Sequence, residues 1–181
     1  MPIRIVIGGV PNCGKSTITA SLYIELQKRG INISVHELDV FENTLPCILG
    51  NETWEERAQV KSGNWTDPCI NIAINTFNND AHQFVLGDLP GIIDKILETM
   101  VAQANLAIVI GKDQESLQKW LNFFSIKNIP VIQKIISYLD EYSIPTTNYK
   151  DCIFIANLKR QIVVSEKINE IVDNLLSHCT G

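Results

Sequence analysis

The chain has little of what would tie it to a membrane, a nucleic acid or an oxidising compartment. Although 45% of its 181 residues are hydrophobic, no uninterrupted apolar run approaches the length of a membrane span, so membrane insertion is not expected. Basic clusters are missing as well. Fifteen Lys and Arg stand against twenty Asp and Glu, a net charge of −5, the reverse of what neutralising a nucleic-acid backbone requires. The five cysteines, Cys13, Cys47, Cys69, Cys152 and Cys179, are odd in number and form no C-x-x-C pair. That favours free thiols over a disulfide framework or a zinc site. His36, His82 and His178 have no ligand spacing, and no repeat or low-complexity stretch interrupts the chain. Met1-Pro2 runs directly into an apolar segment with no room for a signal peptide, and the expected location is cytoplasmic.

What is present is concentrated near the start. The apolar run Ile3-Arg4-Ile5-Val6-Ile7-Gly8 is followed by Gly9-Val10-Pro11-Asn12-Cys13-Gly14-Lys15-Ser16-Thr17 and then by an amphipathic segment. This reads as strand, phosphate loop, helix. Gly9 and Gly14 would admit backbone angles closed to other residues, so that successive N–H groups turn inward around an anion. Lys15 would reach the β- and γ-phosphates, and the Ser16 hydroxyl could ligate Mg²⁺ on the same oxygens. Cys13 lies inside the loop, where the same amides could lower its pKa, although a small loop-filling role is the simpler reading. On the complete Gly9-x-x-x-x-Gly14-Lys15-Ser16 pattern the chain resembles the P-loop NTPase superfamily. The resemblance implies a nucleoside triphosphate and Mg²⁺ and leaves the reaction open.

Downstream, residues 31–38 form a short β-rich run, so the opening third predicts a parallel βαβ unit. Glu37 and Asp39 close that strand at the end where ligands sit in open α/β sheets. Asp39 could bind the metal shell, orient a water or accept a proton. Residues 41–67 are polar and weakly patterned, which suits a lid or switch insertion. Within them Thr53 and Glu56 predict a capping box for a helix to about residue 61. Arg57 and Lys61 lie one turn apart on it and could touch phosphate or an anionic acceptor.

Residues 69–77 alternate apolar and polar, and Asn78-Asn79-Asp80 has turn chemistry. A hairpin with the strand at residues 83–88 is the expectation. That strand ends in Asp88-Leu89-Pro90-Gly91. Asp88 stands where P-loop proteins carry their Walker B metal-binding acid, and the four residues resemble the GTPase D-x-x-G motif, whose glycine amide senses the γ-phosphate. The guanine-reading N-K-x-D motif of those enzymes is missing, which moves the preference from GTP towards ATP. The pattern looks more like the dethiobiotin-synthetase and cobyrinate-amidase relatives or the small-molecule kinases. In those groups a late loop contacts the base, which makes Asn157 the base-contact candidate and Lys159 or Arg160 a candidate for phosphate charge.

Helices are expected at residues 92–104, 114–124 and 166–179, and strands at 105–110 and 152–156. A short strand at 130–132 would lead into a helix through Tyr142. The sum is one domain over residues 1–181, a three-layer α/β/α sandwich with a mainly parallel sheet and a hairpin near residues 69–88. The expected activity is Mg²⁺-dependent hydrolysis or transfer of a γ-phosphate, with Lys15, Asp39 and Asp88 catalytic. The loop from Gly9 to Thr17, including Pro11, Asn12 and Cys13, would hold the nucleotide, and Ser16, Asp88 and Asp39 the metal. Arg57, Lys61 and Gly91 would meet substrate phosphate. A small-molecule acceptor or a protein partner would complete the reaction, and a homodimer is compatible with the sequence. A nucleotide-controlled switch acting through a protein is the alternative.

Overall fold

The computed structural model describes residues 1–39, 44–60, 67–138, 149, 151–156 and 158–179. Six strands, β1 (Ile3–Gly9), β2 (Ile33–Glu37), β3 (Phe84–Asp88), β4 (Leu106–Gly111), β5 (Val131–Tyr138) and β6 (Cys152–Ala156), form one sheet in the order β2-β3-β1-β4-β5-β6. Every pairing is parallel. The helices are α1 (Lys15–Lys28), α2 (Leu45–Ile48), α3 (Trp54–Val60), α4 (Asp67–Asn79), α5 (Lys95–Met100), α6 (Gln114–Ile126) and α7 (Glu166–Cys179). None of them is long and apolar enough to cross a membrane.

Alternation along the strands divides the core in two. Ile5 and Ile7 of β1 pack with Ile18, Leu22 and Leu26 of α1 and with Ile171 and Leu175 of α7. Val6, one residue out of phase, joins Phe77 of α4, Leu97 of α5 and Trp120 of α6 on the other face. Period-two side chains serving two helical layers are what a doubly covered parallel sheet demands. The three-layer architecture is as expected.

Two segments differ from their sequence reading. Residues 69–77 are helical, so no hairpin forms and the sheet is wholly parallel. Ile70, Ile72 and Ile74 alternate, but Ile70, Ile74 and Phe77 also recur at helical spacing, and these three are the buried set while Ile72 is 65% exposed. The tie is broken by topology. A parallel β2–β3 pair needs a crossover, and α4 supplies it while covering the sheet. The second difference is β5, which continues to Tyr138 where a helix was expected. It lies between β4 and β6, and Ile135 and Ile136 bury one on each face.

The end of α4 is held from a distance. Arg4 of β1 donates through Nε to the Phe77 carbonyl at 3.2 Å and through Nη2 to the carbonyls of Asn78 and Asp80. Carbonyls of a last turn have no partner within their helix, and a cation there also meets the negative end of the dipole. Arg4→Met is expected to destabilise the fold by about 2 kcal/mol through these charged hydrogen bonds, read as a lowered denaturant midpoint with an unchanged slope.

Asp80, just beyond, ties the edge strand to the same corner. Its Oδ2 lies 2.7 Å from His36 Nε2 and its Oδ1 2.7 Å from His82 Nδ1, and the His82 amide also donates to Oδ1. Burial alone would raise the carboxyl, but the His82 amide, the Ser34 hydroxyl and the two imidazoles outweigh it and hold Asp80 well below the usual carboxylate range. A depressed folded-state pKa contributes stability above the unfolded value and loses it as pH falls towards the folded one. Asp80→Asn should therefore cost about 1–3 kcal/mol at neutral pH. The gap should close in acid, below about pH 4 where the unfolded carboxylate itself protonates, as followed by melting temperature against pH.

Candidate functional site

β1 ends in the middle of the sheet, between β3 and β4, and the loop that follows it turns into α1. Asn12 and Gly14 adopt left-handed angles, φ 57° and 87°. Gly9 does not, contrary to expectation. It lacks a side chain because a Cβ there would lie 2.3 Å from the Ile110 carbonyl. Gly14 has both reasons at once, since its Cβ would also meet Leu158 Cδ1 at 2.5 Å. No side chain caps α1, so its first amides are left for an anion, at the positive end of the dipole. Gly14→Ala is expected to cost about 1–2 kcal/mol in backbone strain alone, with a further loss from displacing Leu158. Comparison of its melting temperature with wild type tests this.

Lys15 is buried at 7% exposure and its Nζ donates a long 3.4 Å bond to the Val10 carbonyl. Asp88 lies close to it. Fully buried at the end of β3, Asp88 has no hydrogen bond of good geometry to either carboxylate oxygen. Burial pushes its pKa up to about 6, against the opposing pull of the Lys15 charge and the nearby Ser16 and Thr19 hydroxyls. The Thr19 hydroxyl is itself committed to the Lys15 carbonyl at 2.9 Å. A buried carboxylate beside a lysine and a serine, with no hydrogen bond of good geometry, fits a cation supplied from outside.

Parallel register brings a second acid alongside. Glu37 of β2 stands opposite Asp88 of β3, and register partners on neighbouring strands project to the same face, about 4.8 Å apart. Glu37 Oε2 accepts from the Leu45 amide at 2.8 Å, while Oε1 is buried without a partner. Burial raises its pKa well above the ordinary value, and the charges of Asp88 and Asp39 push the same way. The Leu38 and Asp39 amides both donate to the Asp88 carbonyl, at 2.9 and 3.1 Å, which fixes Asp39 beside the acid. Among the described residues no three acids, imidazoles or thiols form a preformed metal cage. Mg²⁺ in general takes one or two carboxylates and completes its shell from phosphate and water.

A cavity of about 400 Å³ opens over this loop, bordered by Asn12, Lys15, Ser16, Asp39, Thr44 and Gly91. Pro11, Gly14, Thr17, Asp94 and Arg160 also line it. Gly91 packs directly on the loop, because a Cβ there would lie 2.7 Å from the backbone nitrogen of Pro11. The Asp88–Gly91 turn and the loop after β1 are thus in contact. Cys13 is buried with a thiol pushed up by burial despite the Lys15 charge and amide, so it fills space rather than acting as a thiolate.

Arg57 stands one residue back from the cavity. Its Nη2 donates to the Thr44 hydroxyl at 3.1 Å, and its guanidinium lies 5.5 Å from the Trp54 ring centre. Arg160 approaches the same ring at 5.4 Å. The capping box of α3 is present as read: Thr53 Oγ1 accepts from the Glu56 amide at 3.1 Å and the Glu56 carboxylate accepts from the Thr53 amide at 2.8 Å. Lys61 and Asn157 fall outside the described residues. Lys159 contributes its carbonyl, which accepts from Thr17 Oγ1 at 3.1 Å. Sequence reading missed Thr44, Asp94 and Leu158 at the cavity. A sequence signal existed only for Asp94, which caps α5 by accepting from the Leu97 amide at 2.9 Å.

No protein-family model matches the sequence, and no curated protein matches it. The fold does have solved counterparts. It is similar to cobyrinic acid a,c-diamide synthase from Mycobacterium smegmatis, at TM-score 0.62 and 12% identity over 100% of this chain and 96% of that one. It is also similar to the septum site-determining protein MinD from Pyrococcus horikoshii, at 0.59 and 15%, covering 96% and 78%. A putative plasmid partition protein from Borrelia burgdorferi follows at 0.55 and 12%, covering 97% of each chain. At these identities what is shared is the fold alone.

Proposed function

We propose that this chain binds a nucleoside triphosphate with Mg²⁺, ATP in preference to GTP, and cleaves its γ-phosphate. The observation that carries the reading is Asp88, fully buried and without a hydrogen bond of good geometry, beside Lys15 and Ser16 at the uncapped start of α1. Burial keeps its pKa raised even with Lys15 beside it, so a further cation would stabilise the carboxylate. The three structural counterparts add support, being respectively bound to an ATP analogue and magnesium, complexed with Mg-ADP, and bound to AMPPNP.

In this reading the loop amides and Lys15 hold the phosphates and stabilise charge that grows on them during cleavage. Ser16 and Asp88, with Asp39 beside them, would hold the metal, which when bound neutralises phosphate oxygens. Asp39 orients the attacking water. The polar stretch at residues 41–67 acts as the lid, and the site is that of a cytoplasmic enzyme. Titration calorimetry with Mg-ATP and Mg-GTP, followed by phosphate release, tests the proposal. Mg²⁺-dependent binding of ATP at least about tenfold tighter than GTP, a difference of about 1.4 kcal/mol, is the expected result. Absence of binding by both nucleotides would overturn it.

One observation favours a second reading, a switch that signals to a protein partner. Gly91 rests on Pro11, so phosphate on the loop would bias the position of the Asp88–Gly91 turn. Slow hydrolysis with a nucleotide-dependent change in protease sensitivity near that turn would support it.

A further inference from the structure

After β2 the chain runs over α1 towards the opposite edge of the sheet. Leu45 and Ile48 of α2 pack on Ala20 of α1, and Val35 of β2 and Ile162, which follows β6, close the same small cluster. β2 and β6 are the two edges of the sheet, so α2 and α3 bring together elements that the strand order keeps apart. One aromatic ring joins them again further on. Trp54 of α3 has the Arg57 guanidinium 5.5 Å from its ring centre and that of Arg160, in the loop after β6, at 5.4 Å. The face of an indole attracts a cation at this range. Both arginines lead to the cavity: Arg57 donates to Thr44, which lines it, and Arg160 lines it directly. The charged groups on that lining are Lys15 and Arg160 against Asp39 and Asp94. Asp39 and Asp94 follow β2 and β3, whereas Arg160 follows β6 on the other side of β1. Positive charge thus stands on the flank opposite the two acids.

We infer that Trp54 is a positioning residue of this site: its ring holds the Arg160 guanidinium at the cavity border for the phosphates and so joins α3 to the bound anion. This deepens the nucleotide reading and rests on it for the identity of the anion. The backbone around Arg160 is already anchored, since Leu158 packs on Gly14 and the Lys159 carbonyl accepts from Thr17 Oγ1 at 3.1 Å. The side chain is exposed, and a long exposed side chain loses rotamer freedom when it grips a ligand. A ring that holds it beforehand reduces that loss. The attraction to the ring engages no N–H, so the donors of the guanidinium remain available to phosphate oxygens. Trp54 acts through Arg160 and itself touches no phosphate.

Calorimetric titration of the whole chain with Mg-ATP and with Mg-tripolyphosphate tests this. Arg160→Ala should weaken both ligands at least about tenfold, the loss of a charge-assisted contact. Trp54→Ala should weaken both about threefold to tenfold, and Trp54→Phe, which keeps an aromatic face, should restore them to within about twofold of wild type. The double variant Trp54→Ala/Arg160→Ala should bind within about twofold of Arg160→Ala, because a ring that acts through the arginine has nothing left to hold. Lys28→Ala, which removes an equal charge at the exposed far end of α1, should leave both affinities unchanged. Wild-type affinity in Arg160→Ala or in Trp54→Ala would overturn the inference, as would losses that multiply in the double variant, a Trp54→Phe protein as weak as Trp54→Ala, or an equal loss in Lys28→Ala. A loss for Mg-ATP alone, with Mg-tripolyphosphate unaffected, would overturn it too by making Arg160 a base contact. Wild type that binds Mg-tripolyphosphate but not Mg-ATP, with the variants behaving as expected, sinks the nucleotide reading and leaves the role of Trp54 standing. Wild type that binds both, with Trp54→Ala and Arg160→Ala unaltered, does the reverse, and binding of neither removes both.

Discussion

Lys15→Ala is expected to abolish measurable turnover of Mg-ATP and to weaken its binding by at least about a hundredfold, the scale on which a preorganised charge donor contributes in a sheltered site. The size of the effect follows from the surroundings. Lys15 is 7% exposed and is the charge that most opposes the raised pKa of Asp88. Removing it deletes the phosphate ligand and leaves Asp39 at the cavity and the buried Asp88 behind it without the neighbouring lysine charge. Repulsion then adds to the lost attraction. Thermal melting should show the variant folded, because the two cores on either side of the sheet do not use the lysine. A variant that binds Mg-ATP as wild type does would remove the triphosphate from this cavity.

Asp88→Asn should have two effects of opposite sign. Without nucleotide the variant should be the more stable protein at pH 8, by about 1–2 kcal/mol, because an unpaired buried carboxylate costs more than a buried amide. For a chain of this length that is roughly a 2–8 °C rise in melting temperature. The direction follows from a folded-state pKa of about 6, above the unfolded one, which makes the charged form the disfavoured one inside the fold. With Mg-ATP the order should invert, since Asn offers the metal a neutral ligand, and turnover should fall at least about a hundredfold. A variant that is both less stable in the free state and undiminished in Mg²⁺-dependent turnover would mean that Asp88 is a structural acid.

The combination of stabilisation and lost function is the informative part. Residues kept at a cost to the free protein are expected at functional sites, where local consistency gives way to chemistry. Glu37 belongs to the same group. Its Oε1 is as isolated as the Asp88 oxygens, and nothing in the linear chain links the two acids. They became neighbours through the pairing of β2 with β3.

How far each part of the protein could be read depended on how local its physics is. The strand, loop and helix that open the chain were legible because they lie within one contiguous stretch. The capping box at Thr53 and Glu56 was legible for the same reason, since it spans a single turn. Residues 69–77 were not, because Ile70, Ile72, Ile74 and Phe77 satisfy a strand period and a helix period at once. The choice between them lay with the β2–β3 crossover.

By itself, then, the sequence determined the strand–loop–helix start of the chain, most of the alternation of strands and helices that makes a layered sheet, and the acid that ends β3. Those properties are encoded by neighbours in the chain. Only the tertiary structure decided that Glu37 faces Asp88, that Gly91 rests on Pro11, that Arg57 turns to Thr44, and that Leu38, Ile70 and Met100 join the lining of the cavity over the loop. Each of these joins residues from separate elements, and the order in which parallel strands pair is set by burying both faces of the sheet at once, a condition no single segment carries.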